Sequence, residues 1–226
     1  MSKVIVLNGS PRKNFNTAKL LIEAQKGAES IGSEVEYFNL YDLNFKGCMS
    51  CFACQRKGST TNCVCAIKDE LRPILEKCIN ADAIIIGSPV YFSYPTGEFR
   101  SFIERLLFPV HTYLVDKENG GLKSRRPKTI PVGVIFTMNC PEAWVEQYNY
   151  PTILNSNVEA LQSVWGYSEA LYCYDTYQFD EYSKYDMDLF DEKQKRETFE
   201  TQFPQDLKNA FNFGIKMLEK AKEYNS

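Results

Sequence analysis

Apolar and polar positions along this chain follow two periods, one of strands and one of helices. Val4-Ile5-Val6-Leu7 is a short, wholly apolar run, as expected of a strand buried on both faces of a parallel sheet. After a polar turn, Thr17 to Ile31 has helical spacing, with Ala18, Leu21, Ile22, Ala28 and Ile31 roughly on one face and Gly32 as a stop. Glu34 to Phe38 alternates and predicts a second, more exposed strand. Residues 44–66 interrupt the pattern with a cysteine-rich loop. Beyond it, Asp69 is placed to cap a helix whose Leu71, Ile74, Leu75, Cys78 and Ile79 form one stripe. Pro73 falls in the first turn of that helix, where its missing N–H is tolerated.

Ala83-Ile84-Ile85-Ile86 predicts the next buried strand, running into a polar turn at Gly87-Ser88-Pro89. Thr96 starts a helix with Phe99, Phe102, Ile103, Leu106 and Leu107 inward, and residues 116–128 read as a loop. Thr129 to Thr137 is a further buried strand, Asn155 to Trp165 a helix, and Ala170 to Tyr174 the last strand. After an acidic, tyrosine-rich stretch at 175–192, Pro204 opens a terminal helix in which Leu207, Ala210, Phe211, Gly214, Ile215 and Leu218 recur at helical spacing. Strands separated by helices predict the α/β class: a doubly wound, five-stranded parallel sheet with helices on both faces. The expectation is one domain over residues 1–226, with a cysteine-rich insertion at about 44–66 and an extended segment at about 138–190.

Composition narrows this picture. Hydrophobic residues are 44% of the 226, enough for a full core, and a formal net charge of −3 without a basic run argues against a nucleic-acid surface. No stretch approaches the roughly 20 apolar residues of a membrane helix, and Met1-Ser2-Lys3 leads directly into the first strand rather than into a secretory leader. A cytoplasmic location is therefore expected, where clustered cysteines indicate metal or redox work more than a disulfide framework.

In a doubly wound sheet, ligands sit beyond the carboxyl ends of the strands. The first strand is followed by Asn8-Gly9-Ser10-Pro11-Arg12-Lys13-Asn14-Phe15-Asn16-Thr17. Hydroxyls, an arginine and backbone N–H groups at a helix start make an anion cradle, although the segment is neither a Walker loop nor a G-x-G-x-x-G turn. A plain polar turn capped by Asn16 or Thr17 is the alternative. The strand at 83–86 is followed by Gly87-Ser88-Pro89-Val90-Tyr91-Phe92-Ser93-Tyr94-Pro95-Thr96-Gly97, a proline-stiffened aromatic segment suited to a planar heterocycle or simply to packing.

Taken together, Gly9-Ser10-Pro11-Arg12 through Asn16-Thr17 and Gly87-Ser88-Pro89-Val90-Tyr91 through Pro95-Thr96-Gly97 resemble the NADPH-dependent FMN reductase family, especially its iron-sulfur flavoprotein branch. The resemblance covers roughly residues 3–140. It implies a flavodoxin-like fold of strand order 2-1-3-4-5 and bound FMN. By matching positions, Ser10, Arg12, Asn16 and Thr17 would hold the phosphate. Pro89, Val90, Tyr91, Phe92 and Gly97 would line the isoalloxazine, with Thr137-Met138-Asn139-Cys140 as a third ligand loop. It implies an oxidoreductase in which NAD(P)H reduces the flavin, passing electrons to a small-molecule or protein acceptor, and a homodimer or homotetramer. No catalytic side chain is required of the protein, since the flavin carries the chemistry. His111, the sole histidine, reads as structural or surface.

Cys48-x-x-Cys51-x-x-Cys54, followed by Cys63 and Cys65, places several thiols within reach of one centre. In the branch that this chain resembles, such a motif holds a [4Fe–4S] cluster, with Cys65 as the fourth ligand and Cys63 as its alternative. The gap of eight residues from Cys54 to Cys63, or ten to Cys65, is longer than the compact branch motif. Three readings stay open: a cluster relaying electrons from a ferredoxin to FMN, idle or redox-sensing thiols, and a Cys₄ zinc site. The acidic residues Asp180, Glu181, Asp186 and Asp188 offer a docking face for a protein partner or are a solvated loop. A non-redox binding protein of the same fold is the remaining alternative. Cys78 and Cys173 are expected as buried apolar positions, and Cys140 in a loop.

Overall fold

The strand β1 (Lys3–Asn8) is apolar at Val4, Ile5, Val6 and Leu7, and all four are buried, which requires protein against both faces. In this computed structural model, which describes residues 1–118, 120–123 and 125–225, β1 lies inside the sheet, between an edge strand and the central one. It pairs in parallel with β2 (Glu34–Asn39) on one side and β3 (Ala83–Tyr91) on the other, in the registers Lys3↔Glu34 and Val4↔Ala83. A two-residue strand β4 (Tyr94–Pro95) folds back antiparallel on the end of β3. The strands β5 (Val132–Thr137) and β6 (Ser168–Cys173) complete the sheet in parallel. The order is β2-β1-β3-β5-β6, which without the short hairpin strand is the expected doubly wound 2-1-3-4-5.

Alternate strand residues face two separate cores. Ile5, Leu7, Ile84, Ile86, Val132 and Phe136 belong to one, packed with α2 (Arg72–Asn80), α3 (Gly97–Leu107) and α5 (Tyr150–Trp165). Val4, Val6, Ile85 and Ile135 belong to the other, under α1 (Asn16–Ser30) and α7 (Phe203–Asn225). The backbones of α1 and α7 almost touch: a Cβ at Gly27 would lie 1.9 Å from the Phe211 carbonyl, and one at Gly214 1.9 Å from that of Ala24. Glycine is therefore required at both crossings for a steric reason, not for its conformational freedom.

Several local expectations are corrected. Gly87-Ser88-Pro89 is strand rather than turn, pairing with Ile135, Phe136 and Thr137 of β5. β1 ends at Asn8, opposite Gly87, so Pro89 sits where that side of β3 has no partner and its missing N–H is tolerated. The chain turns only at Phe92 and Ser93, both left-handed with φ of 49° and 72°. Asp69 does not cap α2, because it is drawn to Arg105, and α2 starts without a side-chain cap. Ile22 and Ile31 are 39% and 38% exposed, since the inward stripe of α1 runs through Leu20, Leu21, Ala24 and Ala28. Two short polar helices were not expected, α4 (Glu142–Gln147) and α6 (Glu192–Thr201), and α5 begins at Tyr150, directly after a left-handed Asn149 with φ 55°. α4 and α6 each bury one residue, Val145 and Lys195, so they carry almost no apolar period to read. Cys173 is buried, but its thiol donates to Asp206 Oδ2 at 3.0 Å rather than packing as a mere hydrophobe. Among the described residues, no helix is long and apolar enough to cross a membrane.

Candidate functional site: a cleft at the strand ends and a cysteine cavity

The loop from β1 into α1 is folded by its own side chains. Ser10 N–H donates to Asn8 Oδ1 at 3.0 Å, and Arg12 N–H donates to Ser10 Oγ at 3.1 Å. The expected Asn16 or Thr17 cap does not form. The N-cap is Phe15, which has no side-chain cap bond, and the first turn of α1 carries no acid. The first N–H groups of a helix have no partner within it, and their dipole is positive, so this end is left free to meet an anion. The Arg12 guanidinium lies beside it, 4.1 Å above the Phe15 ring.

That helix end opens on a cleft where three strand ends meet. Ser10, Arg12, Asn16 and Thr17 line it from the first loop, Pro89, Val90 and Tyr91 from the end of β3, and Thr137, Met138 and Asn139 from the end of β5. The Thr17 and Thr137 hydroxyls are 2.7 Å apart, joining the first and third loops. The second loop is tied in by Thr96, which caps α3 by accepting from Phe99 N–H at 3.3 Å and donates to the Gly9 carbonyl at 2.7 Å. Three sequence-expected residues stand apart from this lining, Cys140 of the third loop among them. Phe92 is 98% exposed at the hairpin tip, and Gly97 begins α3 with open space where a Cβ would stand.

Phe15, Thr176 and Gln178 also line the cleft, and no local pattern marks them. The last two arrive on the segment after β6, which lies across the cradle. Arg12 Nη1 donates to the Gln178 carbonyl at 2.7 Å and Asn16 Nδ2 to the Tyr177 carbonyl at 2.8 Å. Asn139 Nδ2 donates to Gln178 Oε1 at 2.7 Å, while Asn139 Oδ1 is buried without a partner. This segment is anchored by Lys195, the one buried residue of α6, whose ammonium is ion-paired with Asp175 and bonded to the Asn139 carbonyl. Burial pushes the Lys195 pKa down and Asp175 opposes that shift. The cleft thus offers a helix end, an arginine and hydroxyls for a phosphate, and an unused acceptor for an N–H or O–H donor. These residues fit FMN.

The cysteines separate into two groups. Cys48, Cys51, Cys54 and Cys65 line one small cavity with Arg105, whereas Cys63 turns elsewhere and donates its thiol to the Arg125 carbonyl at 3.2 Å. The loop carrying them is held by contacts to α3 and α2: Cys48 N–H donates to Glu104 Oε2 at 3.2 Å, and Arg72 Nη1 to the Cys65 carbonyl at 2.9 Å. Gln55 Nε2 donates to the carbonyls of Phe108 and His111 at 2.6 and 3.0 Å, so the His111 backbone serves the loop while its ring packs edge-on against Tyr113. Ser50, Phe52, Asn62 and Cys63 all hold left-handed φ between 50° and 64°. Such strained backbone persists where surrounding structure fixes it, commonly at sites of function. Burial pushes the Cys54 thiol pKa up, and the neighbouring Cys65, Cys48 and Cys51 add to the rise.

Among the described residues, no three His, Cys, Asp or Glu side chains converge closely enough to hold one metal ion. A zinc ion needs each sulfur about 2.3 Å from a single point. The four thiols instead border a space, with a buried arginine whose Nε lacks a partner. Four thiols and a cationic N–H donor fit the chemistry of an anionic iron–sulfur group.

Comparison with known proteins agrees with this geometry. The sequence profile of the family described as NADPH-dependent FMN reductase matches residues 2–121, just over half of the chain. An iron-sulfur flavoprotein of Archaeoglobus fulgidus is 40% identical over 103 residues, 46% of this chain and 48% of that protein. The chain spans about half the length of the curated relatives it matches. Among solved structures, an NAD(P)H:quinone oxidoreductase from Methanothermobacter marburgensis superposes with a TM-score of 0.63 at 15% identity, covering 96% of each chain. An archaeal flavodoxin superposes with a TM-score of 0.50 at 15% identity, covering 97% of this chain and 99% of its own. These two likenesses concern the fold, which is flavodoxin-like. The profile match takes in the loop after β1, the cysteine motif and the β3 loop, and by it the chain belongs to the NADPH-dependent FMN reductase family.

Proposed function

We propose that this protein uses FMN, held in the cleft at the ends of β1, β3 and β5, to pass reducing equivalents from NAD(P)H to a small-molecule or protein acceptor. The observation that carries this reading is that eight residues expected to hold FMN, 127 positions apart at the extremes (Ser10 to Thr137), line a single cleft. Ser10, Arg12, Asn16 and Thr17 bind the phosphate, assisted by the start of α1. Pro89, Val90 and Tyr91, with Thr137, hold the ring system, and Asn139 Oδ1 accepts a hydrogen bond from the ligand. When bound, FMN accepts a hydride and returns electrons singly or in pairs, and the protein's part is to position it and exclude competing reactions. No side-chain acid or base is assigned.

Tyr91, Phe92 and Tyr94 are 46%, 98% and 59% exposed on the hairpin beside the cleft. Exposed rings of this kind are suited to an interface, and a second copy of the chain would cover them and the flavin edge. A homodimer or homotetramer, built of single FMN domains and working in the reducing cytoplasm, is the assembly we propose.

A second reading is favoured by the cysteine cavity. Here Cys48, Cys51, Cys54 and Cys65 hold a [4Fe–4S] cluster, and the protein carries electrons from a ferredoxin-type donor to FMN. The name carried by the Archaeoglobus relative, iron-sulfur flavoprotein, supports it. A spectrum of anaerobically purified protein, before and after NADPH and then dithionite, tests both. Flavin bands bleached by NADPH support the reductase. Flavin bands over a shoulder near roughly 400 nm, bleached by dithionite alone, support the carrier. Colourless protein that takes up no FMN overturns both.

A further inference from the structure

Arg105 lies in the last turns of α3 and is 1% exposed, an unusual place for a guanidinium. Its two terminal nitrogens are fully used. They form a fork to both Asp69 oxygens, Nη2 reaching Oδ1 at 2.9 Å, and donate to the carbonyls of Lys46 at 3.2 Å and Ile67 at 3.4 Å. The third donor is different. Arg105 Nε is buried and has no partner. Buried N–H groups are almost always bonded, and the sulfur within the guanidinium's hydrogen-bonding reach is that of Cys65. Arg105 borders the small cavity lined by Cys48, Cys51, Cys54 and Cys65.

We infer that Arg105 sets the reduction potential of an iron–sulfur group in this cavity by donating its Nε–H to a sulfur there, while Asp69 fixes the guanidinium in place. The inference rests on the cluster reading above. Its physical basis is that donors to the sulfurs, together with net charge and exposure, set the potentials of such groups. One electron entering the cavity adds a negative charge, and an N–H dipole aimed at it stabilises the reduced form more than the oxidised one. Asp69 neutralises most of the arginine's net charge, so the oriented N–H, rather than bulk charge, is the effective element. On this reading Arg105 is a positioning residue that touches the group but exchanges no electron or proton.

The test begins with iron and acid-labile sulfide in the wild-type protein, reconstituted without oxygen, and then a spectroelectrochemical midpoint for the wild type and two variants. Arg105→Lys keeps a cation beside Asp69 but has no Nε–H. The pair Arg105→Met with Asp69→Asn removes the ion pair whole, leaving no buried charge behind. Both variants are expected to fold by circular dichroism, keep the wild-type iron content and show a midpoint more negative than wild type, the double variant more so. Unchanged midpoints in iron-loaded variants overturn the inference and leave the cluster reading standing. Loss of iron or of the fold in both variants makes Arg105 a strut for the loop and also overturns it. A wild type that takes up neither iron nor sulfide removes the cluster reading, and this inference with it.

Discussion

Arg12 and Gln178 are 166 residues apart in sequence, yet the guanidinium of one donates to the backbone carbonyl of the other at 2.7 Å. The bond closes the loop after β1, the proposed phosphate cradle, with a segment from the last quarter of the chain, and Asn16 makes a parallel bond to Tyr177. Arg12 is thus shared between the strap and the proposed phosphate. Charged hydrogen bonds contribute about 1.5–3 kcal/mol, so Arg12→Ala is expected to weaken FMN about 10- to 100-fold. Riboflavin, which lacks the phosphate, should bind equally well to both proteins. Fluorescence titration with the two ligands checks this, and an equal loss for both would place the role of Arg12 in the strap.

Gly214→Ala tests the α1–α7 crossing, where two effects have opposite signs. Alanine gains about 1 kcal/mol over glycine in a helix interior. Its Cβ, however, would lie 1.9 Å from the Ala24 carbonyl oxygen, a backbone atom that no rotamer change can move. Overpacking costs about 1–3 kcal/mol where side chains can yield, and here they cannot. A net loss of at least about 2 kcal/mol is expected from urea unfolding.

Asp82 should confer acid sensitivity. It accepts from Lys3 N–H at 2.8 Å and pairs with Lys128 at 2.6 Å, tying the start of β1 to the segments before β3 and β5. Burial pushes its pKa up, but Lys128 and the Lys3 N–H outweigh that and hold the carboxyl below its usual range. A carboxyl depressed in the folded state contributes fully above its unfolded pKa, about 3.9. The contribution is lost as pH falls through the folded value. Both partners are one-third exposed, so Asp82→Asn should cost only about 0.5–1 kcal/mol at neutral pH. Unfolding curves of the two proteins should begin to converge as pH falls below about 4 and coincide only below the lower, folded value; a difference that persists below that value would mean the effect is not ionic.

Cys63 and Cys65, two positions apart, should behave oppositely. Cys65 lines the four-thiol cavity and Cys63 bonds the Arg125 carbonyl outside it. After anaerobic reconstitution, Cys65→Ser should lose most bound iron and Cys63→Ser should keep it. Equal iron loss in both would mean that the loop rearranges around its group and either thiol can close the set.

Much of the candidate site was legible because the residues lining the cleft lie in short segments directly after apolar strands. Ser10, Arg12 and Thr17 follow β1, and Pro89, Val90 and Tyr91 end β3, so locating two strands located two walls of the cleft. Phe92 stands apart from the cleft lining. Its neighbours share the motif, but a left-handed turn directs it to solvent, and a turn's hand is not written in an aromatic run. Lys195 was missed because a lysine in a polar helix looks like solvated surface. Only the packing of α6 on the third loop buries it against Asp175.

By itself, the sequence determined the alternation of strand and helix, the buried runs, the polar loop after β1 and the spacing of the cysteines, since each depends on residues near one another in the chain. The tertiary structure decided the rest: that Tyr177 and Gln178 close over Arg12 and Asn16, that Cys65 rather than Cys63 joins Cys48, Cys51 and Cys54, and that Arg105 reaches their cavity. Those relations join residues tens to more than a hundred positions apart. Local periodicity carries no record of them, because they arise only when two sheet faces and their helices pack and bring the strand ends to one edge.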